Sequence, residues 1–344
     1  MEEINNLSKT YKMKKVSLKD IAKIAEVSTA TVSLVLSGKV ENGRVSEEMV
    51  DKIKMIASSL NYQPNRLAMG LKSGKTHTIG LLVTDISNPF FGKLAYFIQK
   101  EMDKHGYAVI VLNTDEDLNQ MQKMVDVLQS RQVDGIIIVP TDNSFQPIND
   151  IMLSKIPLVI VDRPFYDLNV SSVYTNNYVM ANKATQYLID KGCKRILSVS
   201  YDNMLSNICE RRQGYKDAMS KAGLWDEKLL KTVRFKYLDD DILKVMDECS
   251  SCNSKVDGIF FATNTIAMKG LKKLQEKKVR LGDDIQIVCY DDNDIFDFME
   301  YFVPHVKQPI EEMGRVASRI LLKQINKETN KIEKIQLDAF LKTE

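Results

Sequence analysis

The stretch GLKSGKT, Gly70 to Thr76, contains residue types that could bind a phosphate, because it ends in Gly-Lys-Thr. A phosphate-binding loop needs four residues between its glycines, so that successive backbone N–H groups can wrap the phosphate, and it must follow a strand. Here only three residues intervene, and the apolar run TIGLLV comes after the stretch. The motif therefore does not predict nucleotide hydrolysis.

The cysteines and histidines do not form a metal-binding or catalytic pattern. Cys249 and Cys252 form a lone C-x-x-C, and a zinc site would need two further ligands, yet none of the three histidines is near in sequence. There is no G-x-G-x-x-G and no Ser/His/Asp pattern in a suitable context. The sequence therefore predicts no metal, no cofactor and no enzymatic activity.

Acidic side chains follow several apolar runs at the points where strands would end, namely Asp85, Asp162 and Asp291. In open α/β sheets, ligands bind outside the carboxyl ends of the strands, so these residues indicate a binding site. Aspartates after strands also commonly cap helices, which is the alternative explanation.

The elements that would position these residues are short strands alternating with helices. The predicted strands are IGLLVTD, YAVIVLNTD, DGIIIVPTD, PLVIVDRP, RILSVSYD, DGIFFATN and IQIVCYDD. Helical patterns between them predict a parallel α/β architecture. VDGI occurs twice, at Val133 to Ile136 and at Val256 to Ile259, each time entering a strand. The repetition indicates two similar lobes with the ligand between them.

Length and composition bound the class of protein. The chain has 344 residues, of which 44% are hydrophobic and 27% charged, as in a globular protein of about two domains. The stretch before Val16 has no apolar core of signal-peptide length, and no later window is apolar enough to span a membrane. Five cysteines, an odd number, do not predict a disulfide framework. We therefore expect a cytoplasmic protein without a membrane partner.

The charge is unevenly distributed along the chain. The whole chain has a net charge of +2, whereas residues 1–76 contain 13 Lys and Arg against eight Asp and Glu, a net charge of +5. The remainder therefore has a net charge of −3. A basic segment next to a mildly acidic body is typical of a segment that binds a polyanion, although a solvated basic face would have the same composition.

The basic segment contains the pattern of a helix-turn-helix. In VSLKDIAKIAEVSTATVSLVLSG, Ser17 is a candidate N-cap, EVS interrupts the helical spacing, and Ser28 is the candidate N-cap of a second helix. A third helix is predicted from Ser46, which is followed by two acidic residues. The second helix of a helix-turn-helix lies in the DNA major groove, and residues near its start face base edges. Those residues are Thr29, Ala30, Ser33 and Leu34.

These stretches resemble the DNA-binding headpiece of the LacI/GalR (lac repressor) family of bacterial transcription regulators. The resemblance rests on VSLKDIAKIAEVSTATVSLVLSGK, then RVSEEMVDKI, then LNYQPNRLAMGL, in order and without gaps. It implies an N-terminal tail over residues 1–13, a helix-turn-helix DNA-binding domain over 14–63, and a hinge helix with its linker over 64–76. The DNA contacts that it implies are Ser17, Ser28, Thr29, Ala30, Thr31, Ser33, Leu34, Arg44, Ser46, Asn65, Ala68 and Leu71.

The hinge in that family is a short helix that forms only when it is paired with its dimer mate on DNA, and PNRLAMGLKSGKT corresponds to it. By resemblance, Leu71 is a wedge between base pairs in the minor groove, and Ala68 allows the two hinge helices to approach closely. A wedge unstacks a base step and bends the DNA, so that more surface is in contact. Without the headpiece beside it, RLAMGL would be explained as a linker with incidental apolar residues.

Two residues depart from the family pattern. Glu26 occupies the turn position where the family has glycine, so a left-handed conformation there would cost about 1 kcal/mol, and we expect the turn to form nevertheless. Leu34 stands where many members have an arginine that binds guanine. Leucine can contact a thymine methyl group but donates no hydrogen bond, so we expect a different operator preference.

The rest of the chain resembles the two-lobed periplasmic sugar-binding-protein fold that the family uses as its effector domain. The resemblance implies an α/β effector-binding and dimerisation domain over residues 77–344. Its lobes would be an N-lobe of about 77–174 and 308–334 and a C-lobe of about 175–307 and 335–344. The full fold class is thus an all-α helix-turn-helix headpiece followed by a two-lobed α/β domain with parallel sheets.

The effector-binding residues are implied by SNPFFGKL, VDRP, ERRQGYKDAM, ATNTIAM, CYDDND and HVKQPIEEMG. They are Asn88, Phe90, Phe91, Asp162, Arg163, Arg211, Thr263, Asn264, Asp291 and Gln308. The family spacing selects Arg211 rather than Arg212, and one of the two phenylalanines is expected to be a core residue instead.

These residue types suit a sugar, because Asp and Arg can accept from and donate to vicinal hydroxyls while an aromatic face covers C–H surface. The resemblance implies a homodimeric repressor whose affinity for double-stranded operator DNA is controlled by a sugar bound between the lobes. A purine or a sugar phosphate is the alternative effector, since arginines also bind these. A periplasmic-type sugar-binding receptor is a further alternative, which the basic headpiece opposes.

Overall fold

The computed structural model describes residues 16–37, 40, 44–62, 74–249 and 256–343 of the chain. The chain divides into two compact units, Met1–Gly74 and Lys75–Glu344. The division falls within the segment expected to link the headpiece to the effector domain. Within the described ranges, no helix is both long enough and apolar enough to cross a membrane.

The described part of the first unit consists of three helices: α1 Leu18–Ala25, α2 Thr29–Leu36 and α3 Glu47–Ser59. Each begins directly after the serine that was predicted to cap it. The serine hydroxyl accepts a hydrogen bond from the backbone N–H three residues later, at 3.4 Å for Ser17, 3.0 Å for Ser28 and 3.3 Å for Ser46. The caps satisfy N–H groups that have no partner within the first helical turn.

The turn between α1 and α2 contains Glu26 in the left-handed conformation, with φ 60° and ψ 41°. The expected turn therefore forms although a glutamate, rather than a glycine, occupies this position. The apolar faces of the three helices meet in one small core, in which Ile21, Val32 and Ile53 are fully buried.

The second unit contains two six-stranded sheets in its described part. Their strands, in chain order, are β1 Thr78–Val83, β2 Ala108–Asn113, β3 Gly135–Ile138, β4 Leu158–Val161, β5 Ser171–Thr175, β6 Ile196–Tyr201, β7 Leu230–Val233, β8 Gly258–Phe261, β9 Gln286–Tyr290, β10 His305–Lys307, β11 Lys334–Leu337 and β12 Phe340–Lys342. The first sheet has the order β11-β5-β4-β3-β1-β2, and the second has the order β12-β10-β9-β8-β6-β7. All pairs are parallel except β10 with β12, which is antiparallel.

Helices cover the faces of both sheets, as expected for parallel strands that must be buried on two sides. They are α4 Pro89–Asp103, α5 Leu118–Ser130, α6 Phe145–Leu153, α7 Asn177–Asp190, α8 Ser206–Lys221, α9 Leu238–Cys249, α10 Asn264–Glu276 and α11 Ile310–Ile325. The apolar strand residues pack against these helices in separate cores for the two sheets.

The repeated VDGI has the same structural role in both lobes. The Asp134 carboxylate accepts backbone N–H groups of Thr76 at 2.7 Å and of His77 at 2.9 Å, just before β1 begins. The Asp257 carboxylate likewise accepts the N–H groups of Lys194 at 2.9 Å and Arg195 at 2.8 Å, just before β6. Each aspartate thus fixes the entry of the first strand of its lobe, which explains why the repeat includes the acid.

The chain crosses three times between the sheets, after β5, after β10 and after β11. The third crossing lies after Leu337, not after residue 334, because β11 pairs in parallel with β5 of the first sheet. The expected lobe boundary is corrected accordingly, and only the segment with β12 returns to the second lobe. Asn176 ties the first crossing to the third, since its side chain donates to Asp338 at 3.0 Å and accepts from Ala339 N at 3.0 Å.

Candidate functional site

The predicted DNA-facing residues of α2 lie on the surface of the headpiece. Thr29 and Ala30, in the first turn of the helix, are exposed, and Ser33 and Leu34 are partly exposed one turn later. Val32, between them, is fully buried. The helical spacing therefore separates the face that holds the headpiece together from the face available to DNA.

The other DNA-binding candidates lie at helix starts or outside the described residues. Ser17, Ser28 and Ser46 are the three helix caps, Thr31 exchanges a 2.9 Å hydrogen bond with the Ser28 hydroxyl, and Arg44 is exposed. Asn65, Ala68 and Leu71 lie outside the described residues.

A cavity of about 40 Å³ lies between the two lobes, at the carboxyl ends of strands from both sheets. We call this cavity, with the residues that line it, the interlobe cleft. Every predicted effector-binding residue lines it. These residues are Asn88, Phe90, Phe91, Asp162, Arg163, Arg211, Thr263, Asn264, Asp291 and Gln308.

Asp162 and Asp291 occupy equivalent positions in the two lobes. Asp162 follows β4 and Asp291 follows β9, and each of these strands is third in its sheet. Both aspartates have a left-handed backbone, with φ 72° and 74°. At Asp162 the backbone makes a three-residue turn, since Arg163 N donates to Val161 O at 2.9 Å. Such strained conformations in residues with a Cβ cluster at functional sites.

The two aspartates are buried, with exposures of 3% and 6%. Burial raises the pKa of both carboxyls above the ordinary value, and the neighbouring arginines partly oppose that rise. Asp162 Oδ2 accepts a 3.0 Å hydrogen bond from Asn207 Nδ2. Asp162 Oδ1 is buried and has no hydrogen-bond partner among the described residues. A buried acceptor of this kind can receive a ligand hydroxyl.

Arg211, on α8, is held from three sides. Its Nε donates to Asn177 Oδ1 at 2.9 Å, and its Nη1 donates to Ala262 O at 2.9 Å. Nη1 also lies 3.7 Å from Asp291 Oδ2, and the guanidinium centre lies 3.6 Å from the centroid of the Tyr290 ring. The side chain is therefore fixed in position before any ligand contact.

Arg163 is paired with Glu116, which follows β2. Nη1 donates to Glu116 Oε2 at 2.9 Å and to Pro140 O at 2.8 Å, while Nη2 lies 2.7 Å from Glu116 Oε1. Nε lies 3.4 Å from Asp162 Oδ2, and the guanidinium is 5.8 Å from the centroid of the Phe91 ring.

A chain of hydrogen bonds links Asp291 to the crossings between the lobes. Gln308, directly after β10, donates from Nε2 to Asp291 Oδ1 at 2.5 Å. Its Oε1 accepts from Thr175 Oγ1, at the end of β5, at 2.7 Å. Two of the three crossing segments therefore lie within one hydrogen-bonded chain that ends at Asp291.

Asn88 and Asn264 join the lobes across the cleft by a reciprocal pair of hydrogen bonds. Asn88 Nδ2 donates to Asn264 Oδ1 at 3.2 Å, and Asn264 Nδ2 donates to Asn88 Oδ1 at 3.0 Å. Thr263 is the N-cap of α10 and accepts from Ile266 N at 3.3 Å. These contacts place amide and hydroxyl groups from both lobes in the cleft.

Phe90 and Phe91 are each only 5% exposed and both belong to the core of the first lobe. The expectation that only one would be a core residue is therefore wrong. The rings are edge-on to each other, with centroids 5.0 Å apart. Because both also line the cleft, the core itself forms the apolar wall of the site.

Sequence profiles of known families account for both units. Residues 17–65 match the family described as "Bacterial regulatory proteins, lacI family", and residues 76–344 match "Periplasmic binding proteins and sugar binding domain of LacI family". The chain belongs to the LacI family. It is thus a DNA-binding transcriptional repressor with a sugar-binding domain, and the resemblance seen in the sequence is confirmed.

Individual relatives of this LacI-family chain agree with the assignment. The ribose operon repressor of Halalkalibacterium halodurans is 32% identical over 311 residues, which are 90% of this chain and 91% of the relative. A LacI-family regulator from Enterococcus faecium, solved with bound ribose, is 25% identical and has a TM-score of 0.68, covering 77% of this chain and 97% of the relative. The lac repressor dimer bound to operator has a TM-score of 0.82 at 20% identity over 96% of this chain and 98% of the relative, which shows the shared fold.

Further residues of the LacI-family cleft were not predicted from the sequence. They are Thr84, Glu116, Tyr201, Asn207, Ile208, Phe235 and Thr265. Two of them had a usable pattern. Glu116 comes shortly after a predicted strand end, as Asp162 does, and Asn207 lies one helical turn before Arg211 and so shares its face of α8. Phe235 had no such pattern, because it lies in a short 3-10 helix, Phe235–Tyr237.

The charged residues give the interlobe cleft a net negative charge. Its acidic residues in the described chain are Asp85, Glu116, Asp162 and Asp291, and its basic residues are Arg163 and Arg211. The formal charge of these six groups, all taken as ionised, is therefore −2. No group of three or more His, Cys, Asp or Glu within the described ranges could hold a metal ion.

Proposed function

We propose that this LacI-family repressor is controlled by a neutral monosaccharide, a pentose of the ribose type, bound in the interlobe cleft. The observation that most supports the proposal is the pair of equivalent aspartates, Asp162 and Asp291, each buried, left-handed and beside an arginine. A sugar needs acceptors and donors side by side, because each hydroxyl both donates and accepts. Carboxylate and guanidinium groups from both lobes supply that combination.

The charge of the cleft favours a neutral effector over a sugar phosphate. With four acidic and two basic side chains around it, a phosphate would have an excess of like charges as neighbours. Like charges within a poorly solvated site cost several kcal/mol. A purine has no such penalty, so the charge of the cleft separates sugar phosphates from neutral ligands but does not separate sugars from purines.

The names of the relatives support the same class of effector. The relative from Halalkalibacterium halodurans is called a ribose operon repressor, and the regulator from Enterococcus faecium contains bound ribose. The apolar wall of Phe90 and Phe91 suits the C–H face of a small sugar ring.

We propose that the lobes move relative to one another when a pentose binds. The cleft is a small cavity of about 40 Å³, lined by residues of both lobes. We propose that the effector enters when the lobes open. Effector binding at Asp291 would then affect the crossing segments through the hydrogen bonds of Gln308 with Asp291 and Thr175. The coupling is the difference in effector affinity between the two arrangements of the lobes.

We propose that the headpiece binds a pseudopalindromic operator as part of a homodimer. In this proposal Thr29, Ala30, Ser33 and Leu34, which are exposed or partly exposed on α2, face the major groove, and the hinge with Asn65, Ala68 and Leu71 binds the minor groove. A second copy would cover apolar surface near the 3-10 helix Asp294–Phe298, where Phe298 is 88% exposed.

The test is calorimetric titration of the purified chain with D-ribose, other pentoses, hexoses, D-ribose 5-phosphate and purines. The proposal expects the strongest binding for a neutral pentose, and operator binding by the same protein should change when that pentose is added. The variant Asp162→Asn should lose most of the affinity, whereas Asp142→Asn, an exchange outside the cleft, should not. Preference for a purine or a phosphate in the unaltered chain would refute the proposed effector class.

A further inference from the structure

Glu116 is a residue of the interlobe cleft whose backbone is unfavourable for its side chain. Asp115 and Glu116 follow one another in the left-handed conformation, with φ 53° and 51°. Residues with a Cβ rarely adopt this conformation even singly, whereas glycine adopts it freely. Glycine at position 116 would therefore form the turn without strain, whereas glutamate forms it at an energetic cost.

The Glu116 side chain is directed into the site rather than into solvent, with 12% of its surface exposed. Its two oxygens contact the two terminal nitrogens of Arg163, at 2.9 Å and 2.7 Å. Arg163 Nη1 has its second hydrogen bond to Pro140 O, at 2.8 Å. The Glu116 carboxylate thus occupies the outer edge of the guanidinium, which is the edge that binds carboxylate and phosphate groups in a two-point manner.

Arg211, the other arginine of the cleft, has no such partner. It lies 3.7 Å from Asp291, too far for a hydrogen bond, and donates to the neutral acceptors Asn177 and Ala262. The cleft would therefore contain three acidic and two basic groups without Glu116, against four and two with it. Glu116 accounts for the difference between a nearly balanced cleft and a distinctly acidic one.

We infer that Glu116 determines the charge specificity of the cleft: it occupies the outer edge of Arg163, and so the cleft accepts neutral sugars and rejects their phosphate esters. This inference rests on the proposed function, since it assigns a selecting residue to the same sugar site. The left-handed turn places the carboxylate against Arg163, which keeps the guanidinium oriented toward Asp162 and away from an anionic ligand.

The test compares the full chain with Glu116→Gln and Glu116→Gly in titrations with D-ribose and D-ribose 5-phosphate. The matched control is Asp115→Asn, which removes a neighbouring carboxylate that is exposed and does not line the cleft. The measured quantity is the ratio of the two dissociation constants. The unaltered chain and the control should both favour ribose strongly, and both Glu116 variants should shift the ratio toward the phosphate by about tenfold or more.

The ratio separates selection from folding, because a variant that only loosens the cleft weakens both ligands together. Glu116→Gly provides a second variant that removes the carboxylate while relieving the backbone, should the glutamine variant prove unstable. If the unaltered chain prefers ribose and the ratio is the same in both variants, the role of Glu116 is refuted and the proposed function stands. If the unaltered chain binds the phosphate better or binds neither ligand, the proposed function fails and this inference fails with it.

Discussion

The substitution Arg211→Ala offers the sharpest test of how the cleft is held together. Arg211 is 2% exposed and makes two hydrogen bonds, and it is the nearest positive group to the buried Asp291. Removing one member of a buried charge pair typically costs about 3–5 kcal/mol, because the remaining charge stays buried without a partner. For a unit of this size, that corresponds to a decrease in Tm of about 10 °C.

Effector affinity should decrease as well. The alanine variant loses the donors that Arg211 directs at the cleft, and hydrogen bonds to charged groups contribute about 1.5–3 kcal/mol each. We expect pentose binding to weaken by about 100-fold or more, while the headpiece keeps its affinity for operator DNA in the effector-free protein. Thermal unfolding and calorimetric titration measure the two effects on the same sample.

Two controls make this prediction refutable. Arg212→Ala removes the same side chain one residue later, where its contacts are Asn203 O and the sulfur of Cys209, and it should change Tm and affinity little. The double variant Arg211→Ala with Asp291→Asn should be more stable than Arg211→Ala alone, because no unpaired charge remains. Equal losses for Arg211 and Arg212, or a double variant that is less stable, would contradict the buried-pair explanation.

Two further predictions concern packing and pH. Gly214→Ala should decrease the free energy of unfolding of the second unit by about 3 kcal/mol in urea, because the added Cβ would lie 2.4 Å from the Tyr178 backbone oxygen. Gly92→Ala is the control: its Cβ would have no contact closer than 3.7 Å, so the free energy of unfolding should increase by about 0.5–1 kcal/mol. Because burial holds the pKa values of Asp162 and Asp291 above 3.8, acidification through the raised values protonates them in the folded state. The charged carboxylates destabilise the folded state, so their protonation removes that destabilisation. Pentose affinity should nevertheless decrease in titrations from about pH 7 to about pH 4, and the decrease should be smaller in Asp162→Asn.

Apolar periodicity predicted the strands with long apolar runs but not the short or partly polar ones. Each predicted run, from TIGLLV to IQIVCY, is a strand in the structure, and most of these strands are buried on both faces and therefore apolar throughout. The missed strands include β5, with the sequence SSVYT, and β11, with KIQL. They are short and partly polar, and they become strands only through partners distant in the chain, so local pattern does not reveal them.

The family motifs located the cleft well, since every residue predicted from them to bind the effector lines this cavity, and binding itself stays a prediction. The residues that were missed depend on geometry that the sequence does not express. Glu116 reaches Arg163 only because Asp115 and Glu116 both have a left-handed backbone. The ion pair between Glu116 and Arg163 depends on the tertiary structure, which the local sequence does not reveal. The double burial of Phe90 and Phe91 was not expected, because an apolar helix face can include either one or both of two adjacent residues and the spacing does not distinguish these cases.

The positions of β11 and β12 affect how the chain can reach its final structure during synthesis. Both strands lie within residues 334–342, yet β11 pairs with β5 at residues 171–175 and β12 pairs with β10 at 305–307. One of the two outer strands of each sheet is therefore synthesised only after nearly all other strands have emerged from the ribosome. Until then both lobes present an unpaired sheet edge, the kind of surface that nascent-chain chaperones cover. Loss of this short stretch would leave both lobes incomplete at once.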